Sequence, residues 1–295
     1  MAERDSFALY RARLDALGFT PSSTLGQNFL LDPSLHRWLA EQAAPTERDL
    51  AVEIGVGLGF LTRELAQRAG RVLGIEIDAR LFELASADLA DLPNVLLVAG
   101  DALGGPERSL HPQIAATAAA ARAAGGRFLL VANLPYAVSG PLLAELVALP
   151  ELPERAVLLV QKELAQRVAA GTGGAEFGGL GVVVQSVFRA KVLRDVPPQV
   201  FRPRPKVVSA VLQLERRDDA GPHLATGAAR RQFARFVRRL FQQRRKVLRH
   251  TLPAACAAVG LDSPPWEAEL LMRRAEELQP AEIVGLWGRA ARAES

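Results

Sequence analysis

The chain has 295 residues, 49 % of them hydrophobic, which is enough for one large domain and a small one. No apolar run approaches the roughly 18 residues of a membrane span, the opening MAERDSF lacks a secretory signal's hydrophobic segment, and the single cysteine, Cys256, excludes an internal disulfide or a cysteine-rich zinc site. The net charge of +4 is unevenly held: residues 1–188 carry 15 basic and 21 acidic side chains, residues 189–295 carry 21 and 11.

A basic C-terminal third on an acidic body points to a polyanionic partner held by that third. The four histidines are scattered without metal-ligand spacing, so no metal is expected, and the setting expected is cytoplasmic, without a membrane. Residues 7–17 have the spacing of a short amphipathic helix. Residues 20–32 open with loop formers and contain the amides Gln27 and Asn28, which can bind a ligand's carboxylate or amine, or simply satisfy a turn. Asp32-Pro33 starts a helix that reaches about Gln42.

Residues 50–54, LAVEI, read as a buried parallel strand running into Gly55, Gly57 and Gly59, then into a helical pattern with Leu61 and Leu65 on one face. Strand, glycine turn and helix in this order suggest a nucleotide crevice. A dinucleotide fits poorly, because Phe60 occupies the last position of the GxGxxG pattern. Glu53 would repel a phosphate and is expected to hold a cationic ligand's amine through water. Glu76, in the apolar run 72–77 about 20 residues further on, is placed to accept from both hydroxyls of a ribose. S-adenosylmethionine, with a ribose, an amine, a sulfonium and no phosphate, suits all of this. Residues 81–89 read as a helix and 95–99 as a strand. At that strand's carboxyl end Asp101 can accept from an adenine amine or cap the next turn. The alanine-rich stretch 104–126 predicts a surface helix.

Residues 128–132 form the next buried strand, ending in Asn133-Leu134-Pro135-Tyr136. An aryl amine is a poor nucleophile because its lone pair is delocalised into the ring. An asparagine oxygen and a backbone carbonyl, each accepting one N–H, favour a pyramidal nitrogen and expose that lone pair. Pro135 fixes the local φ and removes a competing donor, and Tyr136 offers an aromatic face for the base. The sulfonium leaves as a neutral thioether, so the reaction needs no metal and no strong base.

Residues 156–160 predict a strand and 161–170 a helix, followed by a glycine-rich segment, 171–181, expected to be a mobile loop. Residues 186–192 and 207–214 predict an antiparallel pair closing the sheet. Between them, Phe201-Arg202-Pro203-Arg204-Pro205-Lys206 is stiffened by prolines, either as a clamp for an extruded base and its phosphates or as a plain connector. A linker at 218–227 divides a domain of residues 1–217 from one of residues 218–295. Residues 230–249 hold nine basic side chains and no acid, while Phe233, Phe236, Val237, Leu240 and Phe241 recur at helical spacing. That pattern predicts an amphipathic helix with a core face and a phosphate-binding face, densest in cations at Arg244, Arg245 and Lys246. Residues 264–287 supply two more helices.

GQNFL (26–30), EIGVG (53–57), IEID (75–78), GDA (100–102), NLPY (133–136), FRPRPKVVSAV (201–211) and QRRKVL (243–248) together resemble the ribosomal RNA adenine dimethyltransferases of the KsgA/RsmA type. The motifs follow the family's order over nearly the whole chain. The resemblance implies an α/β, Rossmann-like S-adenosylmethionine-dependent methyltransferase domain with a small all-α C-terminal domain. It implies cofactor contacts at Asn28, Leu30, Gly55, Glu76, Asp101 and Asn133. The target adenine would lie against Tyr136 and Phe201, its amine held by Asn133 and Leu134, with Arg202, Arg204, Lys206, Arg244, Arg245 and Lys246 on the RNA. The implied substrate is a pair of adjacent adenines in the 3′-terminal hairpin loop of small-subunit rRNA, within an immature ribosomal subunit, modified by a monomer. Three features depart from the family's pattern: the uncharged stretch 21–24, the long 104–126 segment and the glycines of 171–181. Alternatives are an erythromycin-resistance type methylase of large-subunit rRNA, whose motifs usually read SQNFL and NIPF or NIPY, and a non-catalytic RNA-binding assembly or transcription factor.

Overall fold

In the computed structural model, residues 14–15, 18–19, 21–22 and 26–292 are described. The helix expected at 7–17 lies outside them except for Leu14 and Asp15, which are helical. From residue 50 to residue 170 the apolar runs become strands and the amphipathic runs the helices that return the chain. A short strand β1 (Phe29–Leu30) precedes α1 (Pro33–Ala43), where Asp32 accepts the N–H groups of Ser34 and Leu35 as the cap that Asp-Pro predicts. Then follow β2 (Leu50–Ile54), α2 (Phe60–Ala66), β3 (Arg71–Glu76), α3 (Ala79–Asp88), β4 (Val95–Ala99), α4 (Pro112–Ala123), β5 (Phe128–Asn133) and α5 (Tyr136–Val147). The sheet is completed through β6 (Arg155–Gln161), α6 (Lys162–Ala169), α7 (Gly179–Gln185), β7 (Phe188–Val196), β8 (Phe201–Arg202) and β9 (Ser209–Arg216). The remaining helices are α8 (Gly227–Phe241), α9 (Leu248–Ala257), α10 (Ala268–Met272) and α11 (Pro280–Arg292).

The main sheet runs β4-β3-β2-β5-β6-β9-β7, parallel from β4 to β6, with β9 inserted antiparallel between β6 and β7. The chain winds outward from β2 to β4, then returns to the other side of β2 at β5, and this reversal opens a crevice at the carboxyl ends of the two strands. Opposite the crevice, Asp49 accepts the backbone N–H and the guanidinium of Arg127, fixing β2 against β5. Burial pushes that carboxyl up, but the hydrogen bonds from Arg127 and Thr46 outweigh it and hold it far below the usual range.

Strand alternation divides the core. Leu50, Val52 and Ile54 join the cluster that includes Leu130, Leu158 and Leu142, while Ala51 joins Leu35, Leu39, Leu61 and Leu65 of α1 and α2. Phe233, Phe236 and Trp287 of the C-terminal helices belong to the same cluster as Leu130 and Leu158. The helices beyond the linker expected at 218–227 therefore share one continuous core with the sheet.

Two expectations are corrected. The glycine-rich segment 171–181 is pinned: Phe177 is fully buried edge-on to Phe241, Gly173 N–H donates to the Glu276 carbonyl, and Arg244 donates to the carbonyls of Ala175 and Phe177. Glycine there permits close packing, as at Gly179, whose position faces the Phe241 ring. The single cationic helix expected at 230–249 is two helices, α8 and α9, separated by a turn over 242–247. Its apolar spacing persists only through Phe241. Among the described residues, no helix is long and apolar enough to cross a membrane.

Candidate active site

A cleft of about 530 Å³, mouth included, opens at the β2–β5 reversal and is lined by the 26–29 loop, the glycine turn, Glu76, Ile77 and residues 133–136. Gly55 (φ 78°) and Gly57 (φ 57°) are both in the left-handed region, so a side chain at either is strained. A Cβ at Gly57 would also meet the Phe29 ring at 3.5 Å.

Glu76 closes the floor. Its Oε2 accepts the Gly57 N–H at 2.7 Å and its Oε1 the Asp78 N–H at 2.9 Å. Burial raises its carboxyl above the ordinary range, and those two N–H groups oppose the rise. Each oxygen retains acceptor capacity toward the cleft. Glu53 is elsewhere, which corrects the amine-holding role expected for it. Alternation along β2 puts it on the side of Ala51, facing α2, where it accepts the Thr62 hydroxyl at 2.5 Å. It is 2 % exposed, and burial, with a smaller contribution from the Glu76 charge, pushes it up to about 8.

The other wall is built from amides. Gln27 Oε1 accepts the Ser22 N–H at 2.7 Å and its Nε2 donates to Asp78 at 3.3 Å, while Asn28 Nδ2 donates to the Gly26 carbonyl at 3.1 Å. Asn133 Nδ2 donates to the Asn28 carbonyl at 3.0 Å. That bond fixes which end of the amide faces which way, and Oδ1 is left as an acceptor with no partner among the described residues. Leu134 N–H donates to the Leu159 carbonyl at 3.0 Å, extending the β5–β6 pairing, and its own carbonyl accepts nothing among the described residues. Pro135 then caps α5, whose first residue is Tyr136. The Tyr136 hydroxyl is hydrogen-bonded to Ser209 Oγ at the start of β9. Burial pushes the phenol up, partly offset by that bond, so it stays protonated at neutral pH.

Of the residues implied at the site, Asn28, Gly55, Glu76, Asn133, Leu134 and Tyr136 line this cleft. Leu30 and Asp101 do not. Leu30 is 3 % exposed in the core, and Asp101 is exposed, with its Oδ1 accepting the Leu103 N–H at 2.8 Å in a turn. Phe201 is corrected as a stacking surface. It pairs with Leu30 in the small β1–β8 ladder and is fully buried with Leu35 and Leu39, offering no ring face. Among the implied RNA contacts, Arg204, Lys206, Arg245 and Lys246 are exposed. Arg202 is exposed too, its guanidinium donating to the Gln199 and Phe201 carbonyls. Arg244, half-buried, is also tied into the fold: besides its bonds to the 175–177 carbonyls it lies 3.4 Å from Glu276.

Sequence reading missed Ile77 and Ser209. Ile77 lines the cleft while 49 % exposed, and an apolar residue just past a strand-ending acid was the available signal. Ser209 gives no local signal, since it meets Tyr136 across 73 positions. The cleft lining contains one carboxylate and no lysine or arginine. That donor set fits a nucleoside cofactor with positive charge and disfavours one carrying phosphates.

A protein-family model described as "Ribosomal RNA adenine dimethylase" matches residues 18–258. The chain is 41 % identical over 238 residues to a Ribosomal RNA small subunit methyltransferase A from Moorella thermoacetica, covering 80 % of each chain. It is 38 % identical over 289 residues to one from a Burkholderia species, covering 94 % of each. A solved dimethyladenosine transferase from Plasmodium falciparum shares the fold at TM-score 0.70 with 21 % identity, covering 89 % of this chain and 97 % of that one. The 23S rRNA methyltransferase ErmE is similar at TM-score 0.62 with 26 % identity, covering 89 % of this chain and 99 % of that one.

Proposed function

This chain belongs to the ribosomal RNA adenine dimethylase family, S-adenosylmethionine-dependent methyltransferases, and from that premise we propose that it dimethylates the N6 amines of two adjacent adenines in the 3′-terminal hairpin loop of small-subunit rRNA. The enzyme acts as a cytoplasmic monomer on an immature small subunit. The observation that carries the reading is the Asn133 amide, whose donation to the Asn28 carbonyl leaves Oδ1 as an acceptor beside the Leu134 carbonyl.

Bound in the cleft, S-adenosylmethionine supplies an electrophilic methyl group on a sulfonium. Glu76 would accept from its ribose hydroxyls, and Gly55 and Asn28, which line the same cleft, would hold its amino-acid portion. Asp101, at the end of β4, is assigned to the adenine amine by the family resemblance alone. Asn133 and Leu134 each accept one N–H of the target amine and favour a pyramidal nitrogen. Tyr136, held at its hydroxyl by Ser209, presents its ring for stacking. The exposed Arg204, Lys206, Arg245 and Lys246 neutralise phosphates and set the register of the RNA.

Incubation with labelled S-adenosylmethionine and immature small or large subunits, followed by mapping of the modified nucleotide, tests the reading. Label on two adjacent adenines of the small-subunit rRNA is expected. Label on large-subunit rRNA would place the chain with methylases acting like the 23S enzyme it resembles in fold, and no label with intact RNA binding would leave a binding factor.

A further inference from the structure

The proposed active site leaves unused a row of cations on one face of the sheet. β7 is an outer strand paired with β9 alone. Its register sets Arg189 opposite Glu215, Lys191 opposite Gln213 and, past a bulge, Arg194 opposite Val211. Through Glu215, Gln213 and Val211 of β9, Arg189, Lys191 and Arg194 align with Arg155, Val157 and Leu159 of β6 respectively, so all of them share the face on which α1 packs. Helix α1 packs mainly on β5 and β6, and its Trp38 reaches β7 at Arg194. At its end, Arg155 donates to the Gln42 carbonyl at 3.1 Å and pairs with Glu215 at 2.9 Å. Beyond that pair Arg189, Lys191 and Arg194 are exposed, and none forms an ion pair among the described residues. The Arg194 guanidinium sits 5.1 Å over the Trp38 ring of α1.

The row has a direction. β7 runs parallel to β6, so Arg194 lies at the cleft end and Arg189 at the far end. From β7 the chain crosses through 197–200 to β8 beside β1 and then passes the exposed Arg204 and Lys206 on its way to β9. Cations thus continue from the rim of the cleft along the sheet for about 16 Å at roughly 3.3 Å per residue. Stacking on Trp38 holds the Arg194 plane and leaves its N–H edge available to an anion.

We propose that this face binds the sugar–phosphate backbone of the duplex stem that carries the target loop. The proposal rests on the reading that the cleft takes a hairpin-loop adenine. Cations spaced along a strand suit a polyanion better than a single anion, and contacts to a stem backbone position the loop without reading sequence. Charges on an outer strand also deter edge-to-edge pairing, and the experiment separates the two roles.

The test compares wild type with the triple variant Arg189→Ala, Lys191→Ala, Arg194→Ala on two RNAs with the same adenine-containing loop, one on a long stem and one on a stem trimmed to a few base pairs. On the long stem the variant is expected to bind roughly tenfold more weakly near physiological salt, with a log–log salt slope shallower by about 2 to 3. Binding to the trimmed RNA, affinity for S-adenosylmethionine and the melting temperature should be unchanged. Equal binding of both proteins to the long stem overturns the proposal, as does the same loss on both RNAs. Self-association of the variant with unaltered RNA binding also overturns it, in favour of edge protection. If the triple variant does not fold, Lys191→Gln with Arg194→Gln is read the same way, with a proportionately smaller effect. A wild type that prefers the long stem but methylates neither RNA counts against the proposed substrate, not against the stem-binding face.

Discussion

Asn133→Ala removes two interactions that can be measured apart. The first is structural. The Asn28 carbonyl loses the Nδ2 donor at 3.0 Å, a part-buried bond whose loss costs about 1 kcal/mol of stability. The second is the catalytic one that the proposed function assigns to it, with Oδ1 accepting from the reacting nitrogen. Losing one preorganised partner at a reacting centre lowers the rate on the order of a hundredfold or more, about 3 kcal/mol of barrier. RNA affinity should hardly change, since it comes mainly from phosphates contacted elsewhere. Asn133→Asp is nearly isosteric yet should not rescue, because it sets a carboxylate oxygen against the Asn28 carbonyl where the donor belongs. Single-turnover transfer to an immature small subunit, with RNA and cofactor saturating, isolates the chemical step, and a thermal melt reads the structural loss. Turnover of Asn133→Ala within a few-fold of wild type would refute the assignment of Asn133 as the acceptor that orients the amine.

Glu76→Ala should weaken S-adenosylmethionine binding by roughly 1–3 kcal/mol, because the ribose loses a charged acceptor and the glycine turn loses the partner of Gly57 N–H; unchanged affinity by calorimetry in a folded variant removes Glu76 from the site. Tyr136→Phe keeps the ring and should retain far more activity than Tyr136→Ala, which loses about 1–3 kcal/mol of stacking. Ser209→Ala should lower stability by about 1 kcal/mol, and if it leaves both melting temperature and transfer untouched, the bond to Tyr136 has no consequence. Arg244→Ala should lower the melting temperature by freeing the 175–177 carbonyls, whereas Arg245→Ala with Lys246→Ala should leave it alone and flatten the salt slope of RNA binding by about 1 to 2. The Glu53 carboxyl, raised from 4.5 to about 8, keeps its proton in the fold while the unfolded chain loses it; stability should therefore fall as pH rises from 4.5 and level off above about 8. Glu53→Gln should remove the Glu53 share of that slope, leaving the part contributed by the raised Glu76 carboxyl, and be more stable than wild type at pH 7, and parallel pH–stability curves for the two proteins count against a buried neutral acid.

Much of the fold was legible because its signals are local. A buried parallel strand is a short apolar run, a glycine turn needs glycines, and Asp32-Pro33 marks a helix start whose cap the structure shows. The cleft was legible for the same reason, since Gly55, Glu76 and Asn133 each end a recognisable strand. Sequence could not give which way a side chain turns once packing decides it. Glu53 is next to the glycine turn in sequence, but alternation sends it to Thr62. Phe201 sits among prolines and cations, as an exposed ring might, but its pairing with Leu30 buries it. Arg244 is indistinguishable by composition from Arg245 and Lys246, and only the position of the 171–178 segment ties it into the fold.

Arg230 shows what such a hidden residue does for the site. By its neighbours it belongs to the cationic face, yet it is 3 % exposed, and its guanidinium donates to five carbonyls, those of Val147, Leu149, Pro150, Leu224 and Ala225. Burial lowers its pKa, the Glu151 charge opposes that fall, and the Val147 carbonyl at the end of α5 presents the negative end of a helix dipole to it. Arg231 adds an ion pair to Glu145 on the same helix at 3.1 Å. Helix α8 is thereby fixed to the end of α5, and the first residue of α5 is Tyr136. The exposed Arg245 and Lys246 follow a few residues beyond α8, so in the proposed complex they stand at a set distance from the stacking ring. Phosphate contacts carry no sequence information of their own. Held at a fixed offset from Tyr136 and Asn133, they decide which nucleotide of a bound loop can reach the cleft, and selectivity for a base then comes from spacing.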